Sequence, residues 1–222
     1  MTQALKLTDV HLTLPSQAGP VDILKGVDFS VRQGESVAIV GPSGSGKSSL
    51  IALAVGLEHP TSGEVVLLGQ PLTGLGEDAL ARLRRGRVSL VFQSFHLLAT
   101  MTAYDNVRVP LEIARLDKVN ERAREALADV GLADRMSHYP GQLSGGERQR
   151  VAVARALASN PDIVFADEPT GNLDSETGAG VADSLFAVAS DRGATLILVT
   201  HDRPLAERAD RVVTMLAGQI VT

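Results

Sequence analysis

The chain has 222 residues, enough for one large domain or two small lobes around a real hydrophobic core. Its apolar share of 44% and charged share of 21% exclude a disordered chain, and a formal charge of −5 argues against a broad basic surface for nucleic acid or anionic lipid. Five Phe, two Tyr and no Trp leave few rings for stacking on a base; the absence of cysteine excludes disulfides, thiolate metal sites and a cysteine nucleophile, as suits a reducing cytoplasm.

Residues 1–14, MTQALKLTDVHLTL, alternate as a strand does and carry neither the basic nor the apolar region of a signal peptide. No apolar run reaches the roughly 18–20 residues that span a bilayer, so a soluble chain is expected, with any membrane role exercised through a partner. Leu5, Leu7, Val10, Leu12 and Leu14 predict a largely alternating first strand, stopped by Pro15 to Pro20; a second covers about Ile23 to Val31 and ends at the turn Arg32 to Glu35. Polar intervals in both suit an antiparallel sheet with one wet face. Val37 to Val40 is apolar without alternation, as a strand buried on both faces should be.

Directly after it stands GPSGSGKS, Gly41, Pro42, Ser43, Gly44, Ser45, Gly46, Lys47 and Ser48, which fits the phosphate-binding pattern G-x-x-x-x-G-K-[ST] between a strand and a helix. Glycines let the backbone curl so that successive N–H groups point at one anion. Lys47 supplies a cation for the β/γ-phosphates, and the Ser48 hydroxyl can join the shell of a magnesium ion. Ser49 completes the nucleotide-binding set, and the helix that follows, LIALAVGL (residues 50–57), aims the positive end of its dipole at the same phosphates.

Further along, a turn at 59–63 precedes a strand from Glu64 to Leu68, and residues 77–85 read as a short helix. Arg82, Arg84, Arg85 and Arg87 make the one dense basic cluster, either a solvated helix face or a contact for an acidic partner. Val88 to Phe92 is a buried strand that delivers Gln93 at its carboxyl end. From about 94 to 159 the texture turns helical: Tyr104 to Ala114, where Pro110 should kink or end the helix, Val119 to Val130, and the stretch LSGGERQRVAVARALAS. Strands return at Ile163 to Ala166 and Thr195 to Val199, around a helix near Ser175 to Ser190, and the last strand is expected at Arg211 to Leu216, ending at the turn Ala217-Gly218. The pattern predicts an α/β core, about 1–93 and 160–222, interrupted by a helical insertion at about 94–159.

The strand Ile163 to Ala166 finishes in Asp167 and Glu168. Ligands of doubly wound sheets sit outside the carboxyl ends of the strands, which suits Asp167 for the magnesium ion and Glu168 for orienting or deprotonating the attacking water. Pro169 disfavours α conformation at Glu168 and is expected to keep that carboxylate extended from the strand. His201 follows another strand end, where a neutral imidazole can bond the γ-phosphate or the water. Leu143-Ser144-Gly145-Gly146-Glu147 forms a second glycine-bearing helix N-terminus, hence a second phosphate-binding device.

Together these stretches resemble the ATP-binding cassette (ABC) ATPases over essentially the whole chain: the phosphate loop, Gln93 as the Q-loop glutamine, LSGGE as the signature, IVFADE, Gly171 to Asp174 as the D-loop, and His201 as the switch histidine. The resemblance implies a P-loop NTPase (RecA-like) core with an N-terminal antiparallel β subdomain and an inserted α-helical subdomain. It implies ATP and Mg2+ as cofactors, with Ser48, Gln93 and Asp167 toward the metal and Lys47, Glu168 and His201 as catalytic residues. Two cassettes of the family dimerise head to tail, so that Ser144, Gly145 and Gly146 would bind the γ-phosphate held by the other subunit and Asp174 would couple the two sites. VFQSFHLLATMTAYDNVRVPL and FADEPTGNLD resemble the lipoprotein-release and macrolide-export branch, including stand-alone cassettes paired with a large predicted permease. The implied protein is an ATP-hydrolysing subunit, peripheral on the cytoplasmic face of the cell (inner) membrane, driving an integral membrane permease in export or mechanotransmission, with no nucleic acid partner and no span of its own.

Two points bear on that reading. Many cassettes place an aromatic residue near the end of the first strand to stack on adenine; the first Phe, Tyr or Trp here is Phe29, and Leu14 or Pro15 takes the position. The alternative is an ABC-class ATPase acting on DNA or the ribosome. The former carry long insertions where Lys47 and Ser144 are only 97 positions apart, and the latter carry two cassettes per chain.

Overall fold

The computed structural model describes residues 2–17, 19–171, 173 and 175–221. In chain order its elements are β1 (Gln3–Leu14), β2 (Val21–Arg32), β3 (Ser36–Val40), α1 (Lys47–Ala54), β4 (Ser62–Leu67), β5 (Gln70–Pro71), α2 (Glu77–Arg84), β6 (Val88–Phe92) and α3 (Ala103–Ile113). They continue with α4 (Val119–Asp129), α5 (Gly145–Leu157), β7 (Ile163–Asp167), α6 (Ser175–Arg192), β8 (Thr195–Val199), α7 (Arg203–Ala206), β9 (Arg211–Leu216) and β10 (Gln219–Val221). The chain divides into two compact units, Met1–Arg84 with Ile197–Thr222 and Arg85–Leu196.

The first unit opens with an antiparallel sheet of order β2-β1-β4-β5. Its alternation changes parity along β1: Leu5 and Leu7 are buried, then Val10 and Leu12. The cause is a bulge. Leu7 pairs with Phe29 but Val10 with Val27, and Asp9 takes up the extra residue at φ 47° with its N–H on the Asp28 carboxylate, 3.0 Å away. The same unit holds β3, whose Val37, Ala38 and Ile39 are all buried. β3 runs parallel to β9, with Ala38 opposite Val212, and the end of β8 flanks its other side.

Two expectations are corrected in this unit. The chain turns back after Leu216, and β10 pairs antiparallel with β9, so 211–216 is not the last strand; three residues are too few for alternation to announce a strand. The helix after the phosphate loop begins at Lys47, not Leu50, and stops at Ala54, leaving Leu57 55% exposed. Within the basic cluster, Arg84 donates to the carbonyls of Val55 and Gly56, 3.2 and 2.7 Å away, and so closes the C-terminal end of α1.

In the second unit β6 and β7 run parallel in register from Val88 opposite Ile163 to Phe92 opposite Asp167. Arg87 pairs with Asp162 at 2.7 Å below them, which accounts for another arginine of the cluster. The start of β8 lies beside β7, the Thr195 N–H bonding the Asp162 carbonyl at 3.0 Å. The helices share one apolar core: Ala103, Val107 and Leu111 of α3, Ala123 and Leu127 of α4, and Val151 and Ala154 of α5, each set at three- or four-residue spacing. That stripe carries α3 through Pro110 to Ile113, so the proline does not end the helix; near the C-terminus it removes only one helical hydrogen bond. The architecture is the α/β P-loop NTPase fold, with an antiparallel β subdomain and a helical subdomain.

Candidate active site

The phosphate loop leaves β3 at Gly41. Gly41, Gly44 and Gly46 have φ of 155°, 77° and 102°. Gly46 is enclosed as well: its positive φ favours glycine, and a Cβ there would crowd Met215 Cε at 2.9 Å and the Ile23 carbonyl oxygen at 3.1 Å. Lys47 Nζ donates to the carbonyls of Gly41 at 2.9 Å and Pro42 at 2.8 Å, which holds the ammonium inside the curl of its own loop. Ser45 is buried and its carbonyl accepts the Gly218 N–H at 3.0 Å, while Pro42, Ser43, Gly44 and Ser48 are exposed and Ser49 half-buried. Gly46 is the N-cap of α1 and offers no capping side chain. A helix N-terminus without a capping side chain is an arrangement suited to an anion.

His201 belongs to the same unit. The Thr200 N–H bonds the Ile39 carbonyl at 3.2 Å, so the exposed His201 stands one residue past the level of the β3 end. Asp202 fixes the following turn, accepting the Leu205 N–H at 3.2 Å as N-cap of α7.

In the second unit, the β6–β7 register brings Gln93, Asp167 and Glu168 to adjacent strand ends. Gln93 Nε2 lies 3.2 Å from where a Cβ on Gly171 would be, and the Gly171 N–H bonds the Glu168 carbonyl at 3.1 Å. Gln93, Glu168 and Gly171 thus share one corner. Glu168 is not extended as Pro169 suggested: its φ is 48°, in the left-handed region. The proline excludes only the right-handed α region, and the turn closed by Gly171 selects the other hand, at a cost of order 1–2 kcal/mol. A strained residue held in place at a strand end is a usual feature of reactive sites.

Ser144 is the N-cap of α5. Its Oγ accepts the Glu147 N–H at 3.1 Å, and Glu147 Oε2 accepts the Ser144 N–H at 2.8 Å, a complete capping box. The Ser144 N–H bond, then the Arg135 guanidinium at 3.0 Å, hold the Glu147 carboxyl below the usual carboxylate range. Gly145 and Gly146 form the first helical turn, and a Cβ on Gly146 would stand 2.6 Å from Thr177 Cγ2, so α5 and α6 approach there only because position 146 is glycine. Asp174 lies outside the described residues. The sequence did not single out Arg148 and Arg155. They are seven positions apart on one face of α5 and both reach the segment after Gln93; that spacing was the available signal.

The ABC transporter family model matches residues 24–171. The chain is 50% identical over 202 residues to the ABC transporter ATP-binding protein YbbA of Escherichia coli (strain K12), covering 90% of this chain and 89% of that one. It is 45% identical over 223 residues to the lipoprotein-releasing system ATP-binding protein LolD of Geobacter metallireducens, covering 100% and 99%. The dimeric ATP-binding cassette MJ0796, solved in a post-hydrolysis state with ADP and Pi, superposes with a TM-score of 0.93 at 38% identity, covering 98% of this chain and 97% of that one. The chain belongs to the ABC transporter family, as an ATP-hydrolysing cassette.

Proposed function

We propose that this cassette powers a membrane permease by closing, with a second copy, on two ATP molecules, in export or mechanotransmission. The observation that supports the reading is that Gly145 and Gly146, just after Ser144, open the first turn of α5, a helix N-terminus whose backbone N–H groups and dipole favour an anion. In this reading Gly41 to Ser49 bind the phosphates, Lys47 compensates charge on the β/γ-phosphates, and the signature residues take the γ-phosphate of the other subunit. Glu168 acts as general base, His201 positions the γ-phosphate and water, and Asp174 couples the sites.

Among the described residues no group of three or more His, Cys, Asp or Glu is arranged for a metal ion. That fits Mg2+ arriving with the nucleotide, since Mg2+ is held by one or two protein oxygens together with substrate phosphates. Ser48, Gln93 and Asp167 would supply such oxygens, and the ion would neutralise charge on the phosphates. No described helix is long and apolar enough to cross a membrane. In this reading the span belongs to the permease, and the cassette works on its cytoplasmic side. The likeness to a lipoprotein-releasing and to a macrolide-export cassette supports that branch.

The test is Glu168→Gln. It should keep ATP binding, lower turnover about 10²–10⁴-fold and trap an ATP-bound dimer. Near-normal hydrolysis by this variant would remove Glu168 from the role.

A further inference from the structure

The segment after Gln93 has an unusual conformation for its composition. Phe95 and His96 both lie in the left-handed region, at φ 60° and 50°, where side chains with a Cβ are strained. Strain of this kind persists only where surrounding groups over-determine it. On one side Asn106 of α3, itself buried, accepts the Leu98 N–H at 2.8 Å and donates to the carbonyls of Leu98, Met101 and Thr102. On the other side the groups come from α5. Arg155 donates through Nη1 to the His96 carbonyl at 2.7 Å and through Nη2 to the Phe95 carbonyl at 2.8 Å, so one planar guanidinium grips the two strained residues. Burial lowers the Arg155 pKa, yet an arginine so held stays charged.

Arg148, two turns earlier on α5, has two partners at once. Its guanidinium carbon lies 5.5 Å from the centre of the Phe95 ring, a cation–π distance, and its Nη1 donates to the Leu143 carbonyl at 2.8 Å. Leu143 immediately precedes the cap residue Ser144. The ring of His96 stacks on Phe92 at 4.9 Å, which ties the same segment back to β6.

We infer that Arg148 and Arg155 are positioning residues that lock the segment after Gln93 to the signature loop through α5. Arg155 fixes the backbone of Phe95 and His96; Arg148 makes the Phe95 ring and the Leu143 carbonyl share one cation. A displacement of the 93–96 segment therefore reaches Ser144 without passing through bound nucleotide. This inference rests on the reading of Gln93 and Ser144 as parts of the ATP site.

The experiment is amide-resolved hydrogen exchange on the full chain without nucleotide, followed by steady-state ATPase kinetics. Arg155→Met should speed exchange at Phe95 to Leu98 about tenfold, as loss of hydrogen bonds from a charged donor implies. Arg148→Met should speed it both there and at Ser144 to Glu147, and should lower kcat with the KM for ATP unchanged. Combining Arg148→Met with Phe95→Leu should give less than the product of the separate effects, since the two groups form one contact. Should Arg155→Met fail to fold, Arg155→Lys keeps the charge but not the fork, and a smaller acceleration at the same amides supports the assignment. Acceleration in only one segment by Arg148→Met, multiplicative effects in the double variant, or no local change in Arg155→Lys would each overturn it. A wild-type chain without ATPase activity would overturn the ATP reading instead, and the exchange data would still decide this one.

Discussion

Phe92 and Asp167 face each other across β6 and β7. Because the strands are parallel, the residues that follow them, Gln93 and Glu168, leave the sheet at the same level. One register therefore delivers an amide and two carboxylates to one edge. A slip by one residue would exchange the faces of every side chain in β6 relative to β7, so the buried pattern that fixes the register also fixes the site.

The signature loop is testable apart from the phosphate loop. Ser144→Arg replaces the N-cap with a bulky cation and should abolish hydrolysis. ATP binding to the isolated chain should stay nearly intact, since the loop at 41–48 is untouched. Parallel binding and turnover assays check this; equal loss of both would argue against action across a dimer interface.

Base selectivity should be weak. β1 ends at Leu14, and no Phe, Tyr or Trp precedes Phe29. A missing base–aromatic stack forfeits on the order of 1–3 kcal/mol. Titrations with ATP and GTP should show modest and similar affinities, and tight binding restricted to adenine would contradict the expectation.

Gln149 is 1% exposed in α5, and neither its Oε1 nor its Nε2 has a hydrogen-bond partner among the described residues. Burying an unpartnered amide costs stability that an apolar side chain of similar size does not. Gln149→Leu should raise Tm by about 2–4 °C, the shift expected for about 1 kcal/mol in a chain of this length. A lower Tm in calorimetry would show that the amide is satisfied in solution.

Acid sensitivity follows from four carboxyls held below their ordinary values, 4.5 for Glu147 and Glu35 and 3.8 for Asp105 and Asp210. The causes are the Ser144 N–H at Glu147, the Thr102 hydroxyl and then Arg108 at Asp105, and the Ser36 N–H and hydroxyl at Asp210. At Glu35, burial pushes upward but is outweighed by the Arg32 N–H and by Arg211. A depressed folded pKa stabilises the fold above the unfolded value, and that stability is lost as pH falls through the folded one. Tm should be flat between about pH 5 and 7 and fall below 4.5, less steeply in Glu147→Gln. A Tm that rises on acidification, or an unchanged slope in the variant, would refute this.

The bulge in β1 and the helix through Pro110 show why some local structure was not legible. The parity change from Leu7 to Val10 is visible in the sequence, but its cause is the pairing with Phe29 and Val27 on another strand. Proline at 110 argues against helix locally, and the apolar stripe of Ala103, Val107 and Leu111 outweighs it through contacts with α4 and α5. β10 was missed because three residues carry no period, whereas antiparallel pairing with β9 needs only the turn at Ala217 and Gly218.

The sequence by itself determined the chemistry: a phosphate loop after an apolar strand, two acids at a strand end, a glycine-bearing helix start and a histidine after another strand. Each is a short motif whose function depends on local backbone geometry, so residue type and order suffice to read it. Only the tertiary structure decided that Glu168 is left-handed, that Arg84 closes α1, and that Arg148 and Arg155 hold the segment after Gln93. Those outcomes depend on which carbonyls, rings and side chains distant parts of the chain bring within hydrogen-bonding reach, and no local pattern encodes that distance.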